Sequence, residues 1–247
     1  MTRTVRSTLL AITLTLGCGG VAVSQAPMPA QAKAVDPFDA IFAADARKDY
    51  ATELTLLRPL VDKGDVDAQF LLGVMYYNGT GVAQDYKEAA RLYGLAAAQG
   101  NASAQYNLGV MYNNGQGVAQ DYKEAVRLYR LAAAQGNAKA QSNLGVMYAD
   151  GTGVAQDYRE AVRLYGLAAA QGNASAQFNL GLMYDNGQGV AQDYVRAHMW
   201  FNLGAISGDK DATSNRDIVS KRMTPSQIER AQDMARKCQA SNFKKCD

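Results

Sequence analysis

One histidine, His198, and three cysteines, Cys18, Cys238 and Cys246, are the residues of this 247-residue chain best suited to nucleophilic or metal chemistry. His198 stands without a partner cysteine or carboxylate motif, and a zinc site wants four ligands, so no metal site is expected. The glycine pairs, for instance Gly115-Gln116-Gly117, have the look of a phosphate cradle but lack the preceding strand and the further residues such a site needs. Asp150, Thr152 and Asp157 miss the acidic spacing of a calcium loop. The sequence therefore offers no catalytic residue, cofactor site or metal ligand. What remains is binding chemistry. Phe70, Val74 and Tyr77 recur 36 residues later as Tyr106, Val110 and Asn113, then as Ser142, Val146 and Ala149, then as Phe178, Leu182 and Asp185. Asn107, Asn143 and Asn179 recur beside them, with Leu71 at the equivalent place in the first copy. An apolar and aromatic line of this kind either packs on a neighbouring repeat or anchors a partner. An amide ladder either bonds the main chain of an extended peptide or satisfies local loop carbonyls.

Positioning those residues falls to a repeat of 36 residues, Asp65 to Gly100, Asn101 to Gly136, Asn137 to Gly172 and Asn173 to Gly208. Such a period marks a repeat architecture. In the first copy, Ala68, Leu72, Met75 and Tyr76 have the spacing of one helical face, and Asn78-Gly79-Thr80-Gly81 breaks the helix. Asp85, three residues before Glu88, predicts a capping box at the start of a second helix, repeated by Asp121 with Glu124 and Asp157 with Glu160. Tyr86, Ala89, Leu92, Tyr93, Ala96 and Ala97 form that helix's apolar face, and Gly100 ends it. A lone hairpin of this size cannot bury its apolar face, so neighbours must stack into an all-α solenoid of antiparallel helix pairs.

The pattern A-x-x-x-L-G-x-M-Y-x-x-G-x-G-V-x-x-D-Y-x-x-A-x-x-L-Y-x-x-A-A-x-Q-G resembles the Sel-one-like repeat family, a relative of the tetratricopeptide repeats. The resemblance covers the first three copies almost completely and the fourth through its first half. It implies a superhelical scaffold whose concave surface, lined by the first helices, binds a protein or peptide, and it implies no reaction. The residues expected in that groove are Phe70, Val74, Tyr77, Tyr106, Asn107, Val110, Asn113, Asn143, Val146, Phe178, Asn179 and Leu182. Some cysteine-rich relatives are associated with β-lactam binding or hydrolysis, but their repeats carry internal disulfide pairs and these carry none. A cell-envelope enzyme of that type, and a structural factor touching peptidoglycan, are the alternative readings.

The ends carry the remaining expectations. Residues 1–32 hold Arg3 and Arg6, an apolar run from Leu9 to Leu16, and Ala30-Gln31-Ala32, the layout of a secretory signal peptide. The run is too short to span a membrane. Lipidation at Cys18 is disfavoured by Thr15 and Leu16 before it. A periplasmic or secreted protein is expected, and in an oxidising compartment Cys238 and Cys246 form a disulfide closing a small C-terminal loop. The chain carries 25 basic and 23 acidic side chains; losing Arg3 and Arg6 leaves 23 of each, which gives no argument for nucleic acid. Residues 33–64 are read as a degenerate capping repeat, with Asp49-Tyr50 in register with Asp85-Tyr86 and Pro59 inside its second helix. Arg216 and Asp217 fall where Leu-Gly would continue the stack, so residues 209–247 are read as capping helices. Thr224-Pro225 opens a last helix there.

Overall fold

The computed structural model describes residues 36–243 and Cys246, so the signal-like segment and Cys18 lie outside the described residues. Among these there is no strand, and twelve helices follow one another. The N-terminal pair is α1 (Pro37–Ala46) and α2 (Tyr50–Asp62), the latter running on through Pro59. Four helix pairs follow: α3 (Val66–Asn78) with α4 (Tyr86–Ala98), α5 (Ala102–Asn114) with α6 (Tyr122–Ala134), α7 (Ala138–Asp150) with α8 (Tyr158–Ala169), and α9 (Ala174–Asn186) with α10 (Tyr194–Ile206). The chain closes with α11 (Lys210–Ser220) and α12 (Pro225–Ala240). Each helix packs on the next from α1 to α11, an α-solenoid.

Side-chain caps set where the helices begin. Asp65, Asn101, Asn137 and Asn173 each accept the amide three residues on at 2.9 Å, opening the first helix of every repeat. Asp85 accepts from the amides of Lys87 and Glu88 at 2.9 and 3.1 Å, and Asp121 and Asp157 do the same. The reciprocal half of the expected capping box is not made there. Glu88, Glu124 and Glu160 turn the other way, to Arg91, Arg127 and Arg163 at 2.6–2.7 Å. A guanidinium one turn along offers two charge-assisted donors where the cap amide offers one neutral donor. The complete box forms at Thr224 and Gln227 instead, at the start of α12.

Glycine decides how closely the helices approach. Tyr93 lays its ring on the backbone of α3 at Gly73, where a Cβ would come within 2.8 Å of the ring. Tyr129 on Gly109, Tyr165 on Gly145 and Phe201 on Gly181 repeat the contact. The second glycine of each Gly-x-Gly loop works between repeats. Gly117, at φ +70°, presses on the Tyr86 carbonyl at the start of the preceding second helix, and Gly153 and Gly189 meet Tyr122 and Tyr158 alike. The loop that looked like a phosphate cradle is thus an inter-repeat joint needing a positive φ and an absent Cβ together.

A relay of glutamines stitches the stack internally. Gln105 and Gln141 are buried and donate to Ala97 and Ala133 carbonyls of the preceding second helix at 3.1 Å; Gln177 reaches Ala169 at 3.3 Å. The side-chain oxygens of Gln69, Gln105 and Gln141 accept from Gln99, Gln135 and Gln171 at 2.9, 2.8 and 2.8 Å. Position 207, next in that series, is Ser207, and the Gln177 Oε1 has no partner although its residue is wholly buried.

At the C-terminal end the packing outlasts the sequence repeat. Asp209 caps α11 on Ala212 at 2.9 Å, in register with Asn173 on Ala176, and α11 packs on α10 as a further first helix despite Arg216 and Asp217. The α12 helix then lies over α10, burying Ala231, Ala235 and Cys238. Cys238 and Cys246 are joined by a disulfide with Cα atoms 4.4 Å apart, and Phe243 and Cys246 pack against the core of the last two repeats.

Candidate functional site

The first helices α3, α5, α7 and α9 hold the expected groove residues, and the structure leaves all of these partly accessible. Eleven of the twelve are half-buried and Val146 is exposed. Val74, Tyr77, Tyr106, Asn107 and Val110 come together, with Asn78 and Tyr93, around a pocket of about 300 Å³ between α3 and α5. Phe178 and Leu182 lie farther along, against the α9–α10 core and the start of the C-terminal cap.

The aromatic rings have a second task. Phe70, Tyr106 and Phe178 tilt onto Tyr93, Tyr129 and Phe201 of their own repeat, with centroids 5.9, 6.0 and 5.8 Å apart. They therefore cover the rings that the glycines admit. Ser142 holds this position in the third repeat and is buried, so Tyr165 has no such cover. Tyr77 packs edge-on to Tyr86 at 5.2 Å, and its hydroxyl donates to Gln116 in the next repeat's loop at 3.3 Å.

Two of the three amides bond tyrosine hydroxyls rather than loop carbonyls, and the third, Asn179, stands beside Phe201, which offers no hydroxyl. Asn143 donates to the Tyr129 hydroxyl at 3.3 Å and also interacts with the Tyr106 hydroxyl; Asn107 bonds the Tyr93 hydroxyl. Burial pushes the Tyr93 and Tyr129 phenols up to about 12, partly offset by these amides, so both stay protonated at neutral pH. Burial also raises the Tyr165 phenol, with Asp150 adding to it. The carbonyls at the ends of the first helices are served instead by Gln84, Gln120, Gln156 and Gln192, whose amides reach residues 77, 113, 149 and 185 at 2.6–2.9 Å. Those glutamines free the asparagines for the groove edge.

One residue of this face escaped the sequence reading. Val74, Val110, Val146 and Leu182 are 36 residues apart, and the next step is Ile218 on α11, 47% exposed. The register alone points to it once α11 is known to stack. Elsewhere the chemistry is sparse: among the described residues no group of three or more His, Cys, Asp or Glu could hold a metal ion, and no helix is long and apolar enough to cross a membrane. His198 is buried between α10 and α11; burial and then Arg216 hold its imidazole below its usual pKa.

The family model described as Sel1 repeat matches residues 66–101, 102–137, 138–173 and 174–209, more than half of the chain. The chain belongs to the Sel1 repeat family. Sel1 repeat folds commonly mediate protein–protein interaction, and the family is typically a non-catalytic scaffold. A Sel1 repeat protein from Oxalobacter formigenes is 32% identical with a TM-score of 0.72, covering 83% of each chain. The chain is also similar to c5321, described as a protective antigen of uropathogenic Escherichia coli with an SLR fold: 40% identity, TM-score 0.64, over 66% of this chain. It spans only 35% of that protein's length. The immunity protein Pa5087 of Pseudomonas aeruginosa, at 20% identity and TM-score 0.50 over 87% of each chain, shares the Sel1-type fold alone. Comparison with curated proteins finds no match.

Proposed function

We propose that this Sel1 repeat protein is an exported, non-catalytic adaptor that holds a protein or peptide segment along the concave groove lined by its first helices. The observation that carries the reading is the apolar line Val74, Val110, Val146, Leu182 and Ile218, kept at one register and left accessible over five helices. Amides and tyrosine hydroxyls flank it, so an extended segment could bury alternate side chains on the line and bond its main chain at the edge. The signal-like residues 1–32 and the disulfide fit an exported protein in an oxidising compartment.

The packing tasks of Tyr106 and Phe178 make them poor probes, because removing either ring uncovers Tyr129 or Phe201. Val146 and Asn113 serve better. A photoreactive residue at 113, irradiated in intact cells, should give one discrete crosslinked partner, lost on adding Val146→Lys or Ile218→Lys; one at 146 should capture the same partner and lose it on adding Ile218→Lys. Crosslinks that ignore both lysines, with the helical circular dichroism intact, would reject the groove.

A further inference from the structure

The second helices form another surface, and one repeat shows what covers it. Leu95, Leu131 and Leu167 hold one position on α4, α6 and α8 and are 41%, 42% and 44% exposed. Their equivalent on α10, Leu203, is 2% exposed, because α12 lies over it. Arg91, Arg127 and Arg163 give way there to Met199, which is wholly buried. The groove between α8 and α10, walled by Gly166, Ala170, Leu180, Tyr184 and Trp200, receives Phe243 and Cys246 of the disulfide-closed strap, leaving about 270 Å³. Phe243 also rests against Gly172.

One repeat earlier, the groove between α6 and α8 has the same walls: Ala134, Leu144, Tyr148, Leu164 and Gly136 stand 36 residues before Ala170, Leu180, Tyr184, Trp200 and Gly172. It measures about 460 Å³ and nothing of the described chain fills it. The difference that matters is charge. Arg130 replaces Gly166, sitting 5.6 Å from the Tyr148 ring centre and donating to its hydroxyl at 2.7 Å. Arg163 in the same groove is paired with Glu160 at 2.7 Å; Arg130 is hydrogen-bonded to the uncharged hydroxyl and also feels the Glu160 carboxylate, so two guanidiniums share one carboxylate and the groove keeps one surplus positive charge. The strap residues that enter the α8–α10 groove are Phe243 and Cys246, and they stand beside Gly166 rather than an arginine. The α6–α8 groove is thus shaped for the same kind of occupant, with an acidic group to meet its surplus positive charge.

We propose that the groove between α6 and α8 docks an amphipathic helix of a partner protein, with a stripe of small apolar residues like Ala231, Ala235 and Cys238 and an acidic segment placed against Arg130. The interface continues the one α12 already makes with α10, one repeat along. It is separate from the first-helix groove, and either can fail without the other.

The test uses the full chain and two labelled peptides of residues 225–247 with the Cys238–Cys246 bridge formed, one native and one carrying Lys244→Glu and Lys245→Glu. Fluorescence anisotropy should show saturable binding of the acidic peptide at least tenfold tighter than the native one. Arg130→Gly should erase that preference, and Leu167→Lys should abolish binding while Val146→Lys leaves it unchanged. No saturable binding of the acidic peptide would overturn the proposal. So would binding indifferent to Leu167→Lys, which would mean exchange with the chain's own α12 or attachment elsewhere. Loss of binding with Val146→Lys would assign the peptide to the first-helix groove and equally overturn it. Unchanged circular dichroism of the Leu167→Lys protein, expected from its exposure, makes the loss specific.

Discussion

Replacing Ser207 by glutamine should make the protein more stable, although no residue at an ordinary exposed helix end would be expected to do so. Gln69, Gln105 and Gln141 each receive a hydrogen bond from the glutamine that follows 30 residues later, at 2.8–2.9 Å. Gln177 is buried in the same way, but the residue 30 positions later is Ser207, with a shorter side chain, and the Gln177 Oε1 is left without a donor. Ser207 ends α10 as Gln99 and Gln135 end α4 and α6, so the new side chain starts from the same backbone position. A buried acceptor without a partner costs about 1–3 kcal/mol. Ordering a glutamine side chain costs up to roughly 1.5–2 kcal/mol. With the full ordering cost the net gain reaches about 1.5 kcal/mol, or a Tm rise of up to about 6 °C for a domain of this size.

Urea and thermal melts followed by circular dichroism measure the gain, and a double-mutant cycle assigns it. In a Gln177→Leu background the acceptor is gone, so Ser207→Gln should then add nothing. A gain that persists in that background would show that the new residue acts through helix propensity or the denatured chain. Absence of any gain in the parent would show that water already serves the Gln177 oxygen. Either result refutes the relay as an energetic link between repeats.

Four further outcomes follow from the packing and the ionisation states. Gly109→Ala should destabilise by about 1–3 kcal/mol, since its Cβ would lie 2.8 Å from the enclosed Tyr129 ring, while Gly94→Ala, with nothing within 4 Å, should stabilise by up to about 1 kcal/mol; urea midpoints read both signs. Gly117→Ala combines a φ of +70° with a clash on the Tyr86 carbonyl and should cost more than Gly109→Ala in the same melts. His198 has a depressed pKa when folded, so the unfolded chain takes up its proton first; stability should fall as pH drops below about 6.5, by at most about 1.4 kcal/mol per unit, and His198→Leu should flatten that slope between pH 7.5 and 5.5. Glu53 is buried with an unpartnered oxygen, and burial, then Asp45, raises its pKa, so its ionised form opposes folding above the usual carboxylate range; Glu53→Gln should raise the Tm at pH 7 and lose that advantage towards pH 4.

Much of the fold was legible because each repeat reports on its neighbours. The 36-residue period, the Asx caps and the glycine breaks each appear three or four times, so chance matches cancel. The Gly-x-Gly loops were misleading in isolation because their reason lies in another repeat, at the Tyr86, Tyr122 and Tyr158 carbonyls. The capping-box expectation failed at Glu88 because arginine at the next turn competes for the same carboxylate, a choice that residue spacing does not decide. Asn107 and Asn143 found tyrosine hydroxyls that only the close approach at Gly73 and Gly109 brings into reach. Ile218 was hidden because Arg216 and Asp217 break the apolar pattern, even though Ala212 keeps the register of Ala176 and, with Asp209 as its cap, seats α11.

Comparing the copies also separates scaffold from surface within this one chain. The positions that hold the stack are constant: Gly73, Gly109, Gly145 and Gly181 under a ring, Gln69, Gln105, Gln141 and Gln177 in the relay. Those on the first-helix face are individual, with Phe70, Tyr106, Ser142 and Phe178 at one register and Tyr77, Asn113, Ala149 and Asp185 at another. A surface bearing a uniform ligand, such as a repeating polymer, has no physical need of such differences; a surface that reads an irregular polypeptide does, because each step along the groove meets a different side chain. The second-helix face shows the same split, with Gly94, Arg130, Gly166 and Asn202 varying beside the constant Leu95, Leu131, Leu167 and Leu203. Where variation on that face brought Gly166, the chain's own C-terminus settled; where it brought Arg130, the groove stayed open.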